Sequence, residues 1–185
     1  AIERGELVVY PTETVYGLAA DPLEPATVER VFAAKGRDRD DPISLAVPTP
    51  EAATAYVDLT DRERAFMEQF LPGPVTVVVQ KRSVVPDILT GGRERVGVRV
   101  PDHDLAQALL EAVAPLTATS ANVSGRGSAT TVDAVDPEIR EAAAVVLDGG
   151  ETGGTGSTVV DVERDELHRE GAGAEAVAEW LATHD

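Results

Sequence analysis

LVVYPTETVYGL, at residues 7–18, joins a short apolar run to a polar connection rich in turn-forming residues. The first part, Leu7–Tyr10, combines apolar, β-branched and aromatic residues, which is typical of a buried strand. Pro11 ends this strand, because proline cannot donate to a sheet ladder. Residues 11–22 are then predicted to form a loop that carries several hydroxyl groups. A strand followed by a polar loop is the pattern that recurs along the chain.

Helices and strands alternate through the remaining sequence. Pro25 suits the first turn of a helix that should end near Lys35, with Gly36 as its stop. Thr60 and Glu63 form a capping box at the start of a second helix. Further strands are predicted over 43–47, 75–79, 96–100, 116–119, 145–147 and 159–162, and further helices over 103–113 and 174–181.

This alternation predicts a single α/β domain over residues 1–185, built on a twisted, mostly mixed sheet flanked by helices. In such a sheet, polar loops that follow strand ends are the usual place for a ligand cleft. No apolar run approaches the roughly 20 residues that span a bilayer. The first residues also lack the apolar stretch of a signal peptide. We therefore expect a soluble cytoplasmic protein.

The content of cysteine and histidine limits the possible chemistry. The chain has no cysteine, which excludes disulfides, thiolate nucleophiles and cysteine-bound metal centres. Its three histidines, His103, His168 and His184, are far apart in sequence and do not show metal-ligand spacing. The sequence therefore predicts no metal site made by the protein itself.

The net charge of -17 is the most unusual bulk property. Acidic residues are spread along the whole chain, which favours a halophilic surface adapted to a salty cytoplasm, where the charges are screened. An acidic face for a basic partner is the alternative. Because an anionic ligand needs locally concentrated positive charge to bind such a protein, two clusters of basic residues are candidates for a binding site. They are Lys35, Arg37 and Arg39, and Arg93, Arg95 and Arg99.

Three polar segments also carry groups that suit an anion or a zwitterion. The loop after the first strand offers Thr12–Thr14, and the triplet 120–122 (SAN) offers a hydroxyl and an amide beside a glycine-containing loop. Residues 149–156 contain five glycines but lack the GxxxxGK[ST] pattern of a P-loop. Each segment has an ordinary explanation as a turn or a flexible surface loop, so no single one establishes a site.

Taken together and in this order, seven stretches resemble the YrdC-type family of threonylcarbamoyl-AMP synthases. The resemblance begins at residue 7 and covers nearly the whole chain. It implies a twisted α/β sheet with a large concave cleft. The matching stretches are LVVYPTETVYGL, VFAAKGRDRDDPISL, LPGPVTVVV, VGVRVP, TSANVSG, DGGETGGTGSTVVD and HREGA.

The resemblance also implies an activity. Proteins of this family combine L-threonine, bicarbonate and ATP, with Mg2+ accompanying the nucleotide, into threonylcarbamoyl-AMP and pyrophosphate. A separate tRNA threonylcarbamoyltransferase then uses the product to modify adenosine in tRNA. Weak direct binding of tRNA is left open, and no membrane partner is expected.

Site roles follow from the resemblance position by position. The ATP contacts would be Lys35, Arg37, Asp41, Ser120, Asn122, Thr130 and Arg169, and the L-threonine contacts would be Thr14, Arg99 and Ser157. Lys35 and Arg37 would also be catalytic by electrostatic stabilisation, since the reaction needs positioning and charge more than a protein nucleophile. No general base is assigned. Ala46 stands where many relatives have histidine, and Arg95 where they have a smaller hydroxyl residue.

Two other functions remain as alternatives. The same fold could serve as a non-catalytic RNA-binding module, although the acidic charge disfavours this, because RNA binding depends on neutralising phosphates with many basic residues. Carbamoyl-adenylate chemistry on another substrate is the second alternative. Dependence of nucleotide turnover on L-threonine discriminates among all three.

Overall fold

Ten strands and seven α-helices alternate along residues 1–184, the part of the chain that the computed structural model describes. The strands are β1 (Leu7–Tyr10), β2 (Gly17–Ala19), β3 (Ser44–Ala46), β4 (Val57–Asp58), β5 (Val75–Lys81), β6 (Arg95–Arg99), β7 (Leu116–Ala118), β8 (Ala143–Val146), β9 (Thr158–Asp161) and β10 (Glu166–Arg169). The helices are α1 (Pro25–Lys35), α2 (Pro50–Ala53), α3 (Asp61–Phe70), α4 (Asp87–Thr90), α5 (Asp104–Val113), α6 (Pro137–Ala142) and α7 (Ala174–Thr183).

The strands form two mixed sheets that are joined by hydrogen bonds. The smaller sheet has the order β2-β1-β8, and the larger has the order β10-β9-β5-β6-β3-β7, with β4 paired to β5. Parallel pairs, such as β5 with β9, occur beside antiparallel pairs, such as β5 with β6. Leu18 N donates to Thr119 O (2.8 Å) and Thr117 N donates to Ala20 O (3.0 Å), which links β2 to β7. The expectation of an α/β fold on a mixed sheet is confirmed.

Local sequence signals determine the ends of two helices. Glu24 caps α1, Pro25 occupies its first turn, and Gly36 ends it in the left-handed conformation, with φ 56°. At α3, the Thr60 side chain accepts from Glu63 N while the Glu63 carboxylate accepts from Thr60 N, as the capping box predicts. Both predicted helix starts are therefore confirmed.

Alternation along β5 and β6 separates the two faces of the larger sheet. Val77 and Val98 are fully buried in the main core, and burial of side chains of this size stabilises a fold by about 1.5–3 kcal/mol each. The same core contains Phe66 of α3 and Trp180 of α7, whose rings meet edge to face with centroids 4.9 Å apart. The opposite face of these strands carries polar and small residues and is left uncovered by helices.

The structure differs from the sequence prediction in its short elements. Strand β2 lies inside the segment that was predicted to be only a loop, and β10 was not predicted. Strands of three or four residues give little periodicity, and their existence depends on pairing with a partner strand. In α7, Val177 and Trp180 are buried, whereas Leu181 is only partly buried. Among the helices of residues 1–184, none has the length and apolar character needed to cross a membrane.

Candidate functional site

A single cleft of about 1060 Å³ lies on the uncovered face of the larger sheet. Its floor comes from alternate residues of β3, β5, β6 and β9, and its walls come from the loops that follow β1, α1 and β7 and from β10. Seven of the predicted site residues line it: Thr14, Arg37, Asp41, Arg99, Ser120, Ser157 and Arg169. Lys35, Asn122 and Thr130 do not.

Arg99, at the end of β6, is fixed by the loop after β1. Its Nη2 donates to Thr14 Oγ1 (2.7 Å) and to Glu13 Oε1 (2.9 Å), and the side chain is almost fully enclosed. Thr14 is held in turn by Thr12, whose hydroxyl lies 2.9 Å from that of Thr14 and donates to Val15 O. Within residues 1–184, the protein hydrogen bonds of the guanidinium all involve Nη2, so Nε–H and the Nη1 protons are available to a ligand.

Arg169, at the end of β10, approaches the same region from the other side. Its Nε donates to Ser157 O (3.0 Å) and its Nη2 donates to Ser157 Oγ (2.9 Å). Ser157 Oγ also lies 3.0 Å from Thr76 Oγ1 on the cleft floor. Burial lowers the pKa of Arg169, and the nearby positive charges of Arg99 and Arg37 lower it further. Three guanidinium groups to which the resemblance assigned site roles, those of Arg37, Arg99 and Arg169, therefore lie in one cleft.

Lys35 lies behind the wall of the cleft. Its side chain is 1% exposed, and Nζ donates to the backbone carbonyls of Asn122 (2.7 Å) and Ser120. Burial lowers the pKa of Lys35 to about 8, and Arg37 contributes to this shift. The prediction of a direct phosphate contact through Lys35 is thus not supported by this geometry. Instead, the ammonium group anchors the loop that carries Ser120.

Asn122 and Thr130 also differ from the expectation of direct contact. Asn122 Nδ2 donates to the carbonyls of Val123 (2.8 Å) and Arg126 (2.9 Å), so the amide stabilises its own loop. The half-buried Thr130 lies beside the segment 149–156 and accepts a hydrogen bond from Thr152 N at its carbonyl (2.9 Å). Neither residue lines the cleft in this structure.

Arg37 and Asp41 form the wall that follows α1. Arg37 Nε donates to Asp41 O (3.2 Å) and Nη2 donates to Pro42 O (3.0 Å), which holds the guanidinium against the cleft edge. Arg39 is two residues further on but is exposed and paired with Glu29, outside the cleft lining. Of the first basic cluster, Arg37 alone lines the cleft.

Arg95 belongs to a buried ion cluster at the far end of the floor. Its Nη2 donates to Glu63 Oε1 (2.9 Å) and Asp161 Oδ1 (3.0 Å). Its Nε lies 2.9 Å from Asp161 Oδ2, close enough for an ion pair but not aligned as a hydrogen bond. Both carboxylates are almost completely enclosed, with side chains 2% and 0% exposed. Arg95 is therefore neutralised by the protein, so the second basic cluster contributes Arg99 and the exposed Arg93 to the cleft lining.

Residues 149–156, which we call the glycine strap, are packed against the loop after β1 and do not form a free surface loop. Gly154 N donates to Thr14 O (2.7 Å) and Gly153 N donates to Glu13 O (3.3 Å). A side chain at Gly153 would begin 2.8 Å from Glu13 O, so only glycine permits this approach. The Tyr16 hydroxyl donates to Gly150 O (2.8 Å) and fixes the start of the strap.

Sequence reasoning assigned no role to several residues of the cleft, among them Tyr10, Ser44 and Thr76. Tyr10 closes β1 and is 2% exposed, although it reaches the cleft. Ser44 and Thr76 are polar residues inside predicted strands, and that is the one sequence signal that indicates a solvent-facing or ligand-facing side of the sheet. Within residues 1–184, no group of three or more acidic or histidine side chains is placed to hold a metal ion.

Comparison with known proteins relates this site to a family. The family model Sua5/YciO/YrdC, described as "Telomere recombination", matches residues 1–171. A threonylcarbamoyl-AMP synthase of Pyrococcus abyssi is 40% identical over 164 residues, which cover 87% of this chain and 48% of that protein. This chain therefore spans about half the length of that relative. A threonylcarbamoyl-AMP synthase of Shigella boydii is 39% identical over 92% of each chain.

A solved structure agrees with these matches. The crystal structure of Pyrococcus abyssi Sua5 complexed with L-threonine superimposes with a TM-score of 0.86 and 39% identity, covering 92% of this chain and 52% of that one. The sequence matches and the shared fold agree. The chain belongs to the Sua5/YciO/YrdC family.

Proposed function

We propose that this protein is an L-threonylcarbamoyladenylate synthase, an enzyme that forms threonylcarbamoyl-AMP and pyrophosphate from L-threonine, bicarbonate and ATP. The observation that carries the proposal is the convergence of Arg37, Arg99 and Arg169 on one cleft in a protein of net charge -17. A triphosphate and an amino-acid carboxylate are the ligands that such a cluster suits. The names of the family relatives agree with this choice of substrates.

The cleft divides naturally between the two substrates. The Thr14–Arg99–Ser157 end would hold L-threonine, with its carboxylate on the free Nη1 of Arg99. Arg37, Asp41 and Ser120 would line the nucleotide end, with Arg169 between the two. The ATP roles of Lys35, Asn122 and Thr130 are then indirect, through the loops that they support.

The proposed reaction has two chemical steps, and neither step requires a nucleophile from the protein. The threonine amine attacks bicarbonate-derived carbon dioxide to give a carbamate and, overall, one water. A carbamate oxygen then attacks the α-phosphorus of ATP and forms the mixed anhydride, while the bond to pyrophosphate breaks. Charge develops on the departing pyrophosphate, so the arginines would act by electrostatic stabilisation and positioning.

Mg2+ would enter with the nucleotide, because it binds mainly through phosphate oxygens and water and needs few protein ligands. The carboxylate of Asp41 in the cleft wall could complete its shell. When bound, the ion would neutralise phosphate charge. The arginines and the loop carbonyls of this chain would still orient the substrates.

The decisive experiment measures pyrophosphate release with each substrate omitted in turn. Release should require ATP, L-threonine and bicarbonate together. Arg37→Ala should lower kcat/KM about 100-fold or more, as is typical for loss of an electrostatic contact to a transferring phosphate. Arg39→Ala is the matched control, because Arg39 pairs with Glu29 outside the cleft lining, and it should stay within about twofold of the wild type. Release without threonine, or equal loss in both variants, would reject the proposal.

The surroundings of the reaction are also part of the proposal. The acidic surface favours a cytoplasm of high salt, where repulsion among the charges is screened. The product is a reactive mixed anhydride, so a tRNA threonylcarbamoyltransferase should consume it. A mobility-shift assay with tRNA at high salt would detect direct RNA binding, which we expect to be weak for this charge.

A further inference from the structure

Tyr10 presents an unpaired hydroxyl to the cleft. It ends β1, opposite Gly17 of β2 in the strand register, and both residues line the cleft. The missing side chain of Gly17 makes room for the ring, since a Cβ there would lie 2.8 Å from Tyr10 Cε1 and 3.3 Å from the hydroxyl. The ring is therefore fixed, with the hydroxyl at one place in the amino-acid end.

The hydroxyl of Tyr10 makes no hydrogen bond within residues 1–184, and its oxygen is accessible from the cleft although the residue as a whole is only 2% exposed. Tyr16 shows the contrasting case, because its hydroxyl donates to Gly150 O and accepts from Gly149 N (3.1 Å). A hydroxyl that is held in place at the wall of a cleft without a protein partner can pair with a bound ligand in place of water.

The chemical state of Tyr10 limits what that partner can be. Burial raises the pKa of Tyr10 to about 12, although the nearby Arg99 opposes the shift. At neutral pH the group is a neutral phenol that can both donate and accept one hydrogen bond. Arg99 is the natural partner for a carboxylate, so the phenol is left for another polar group of the same ligand, such as a hydroxyl. Behind the ring lies an apolar cluster that includes Val8, Ala46 and Leu116.

From this arrangement we propose that Tyr10 is a specificity-determining residue, which recognises the side-chain hydroxyl of the amino-acid substrate. The inference rests on the proposed function and adds to it the group that discriminates threonine from amino acids of the same shape. L-valine is the critical competitor, because it has the size of threonine but carries a methyl group in place of the hydroxyl. A bound valine would leave the Tyr10 hydroxyl unpaired.

The test compares pyrophosphate release with L-threonine and with L-valine in wild type and in Tyr10→Phe. We expect the ratio of kcat/KM for threonine over valine to fall by about tenfold or more in Tyr10→Phe, because the phenyl ring no longer disfavours valine. Tyr56→Phe is the matched control, since Tyr56 is partly buried and lies outside the cleft. Its ratio should equal that of the wild type.

The outcomes separate the inference from the function that it rests on. Threonine-dependent release with an unchanged ratio in Tyr10→Phe would overturn the inference and leave the function standing. Absence of threonine-dependent release in the wild type would reject both. If Tyr10→Phe does not fold, as judged by thermal melting, calorimetry on the wild type replaces it. Equal affinity for valine and threonine would then overturn the inference, and clearly weaker valine binding would support it.

Discussion

The buried ammonium group of Lys35 should make the free energy of unfolding depend on pH in the alkaline range. A single substitution of Lys35 should remove this dependence. Lys35 is 1% exposed and donates to two backbone carbonyls, and burial lowers its pKa to about 8. Lys35→Met removes the titrating group and keeps a side chain of similar length. The comparison of wild type with this variant therefore reports on one ionisation.

The sign and size of the effect follow from linkage. In the unfolded chain the lysine pKa is about 10.4, so between pH 8 and that value the unfolded chain keeps a proton that the folded protein has released. Stability therefore rises with pH through this window. The shift from 10.5 to about 8 corresponds to about 3 kcal/mol, at about 1.4 kcal/mol for each pKa unit. Below pH 8 the contribution should be constant.

Urea denaturation of both proteins at a series of pH values, at constant high salt, measures this difference. The free energy of unfolding of wild type minus that of Lys35→Met should be flat up to about pH 8 and rise by about 3 kcal/mol by about pH 10.5. Equal m-values in the two proteins would show that the same transition is compared. A difference that stays flat across the whole range would mean that the carbonyls of Ser120 and Asn122 solvate the ammonium as well as water does, and would refute the reasoning.

Three further predictions concern other contacts of the site and the surface. Glu13→Ala should raise KM for L-threonine about tenfold with little change in KM for ATP, because Arg99 loses its charged hydrogen-bond partner. Glu13→Gln keeps a hydrogen-bond acceptor, so its constants should stay near those of the wild type. Equal steady-state constants for the two variants would contradict this role of Glu13. Arg95→Met should lower the free energy of unfolding, measured in urea, by about 3–5 kcal/mol, because Glu63 and Asp161 would be left buried without a cation. A loss below about 1 kcal/mol would show that Arg95 does not stabilise these two carboxylates. Raising KCl from about 0.1 M to about 1 M shortens the Debye length from about 10 to about 3 Å and should therefore raise Tm in a thermal scan. A falling Tm would show that repulsion among the acidic side chains does not significantly destabilise the protein.

The sequence predicted those parts of the fold that depend on neighbouring residues. The ends of α1 follow from Pro25 and Gly36, and the start of α3 follows from the capping box, because each signal acts within one helical turn. The apolar alternation of β6 was also readable directly. Strand β10 was missed because its four residues are stabilised by pairing with β9, a contact that local propensity does not record.

For the site, the sequence indicated which residues lie close together, but it did not indicate the role of each residue. Arg37, Arg99 and Arg169 line one cleft, as the resemblance implied, although β6 and β10 are separated by two strands in the sheet. The partners of the other cations could not be foreseen. Arg95 binds acids 32 and 66 residues away, and Lys35 binds carbonyls 85 and 87 residues away. Contacts of that kind depend on side-chain direction in the folded protein, which spacing along the chain does not specify.

The glycine strap also has a consequence for how the protein is made. Its amides hold the carbonyls of Glu13 and Thr14, so the loop after β1 is completed by a segment that is translated much later. Ser157 and Arg169, which close the same end of the cleft, are translated later still. A nascent chain that stops before the strap should therefore have no ordered place for an amino acid, and substrate capture should begin only after the strap and β10 have been synthesised.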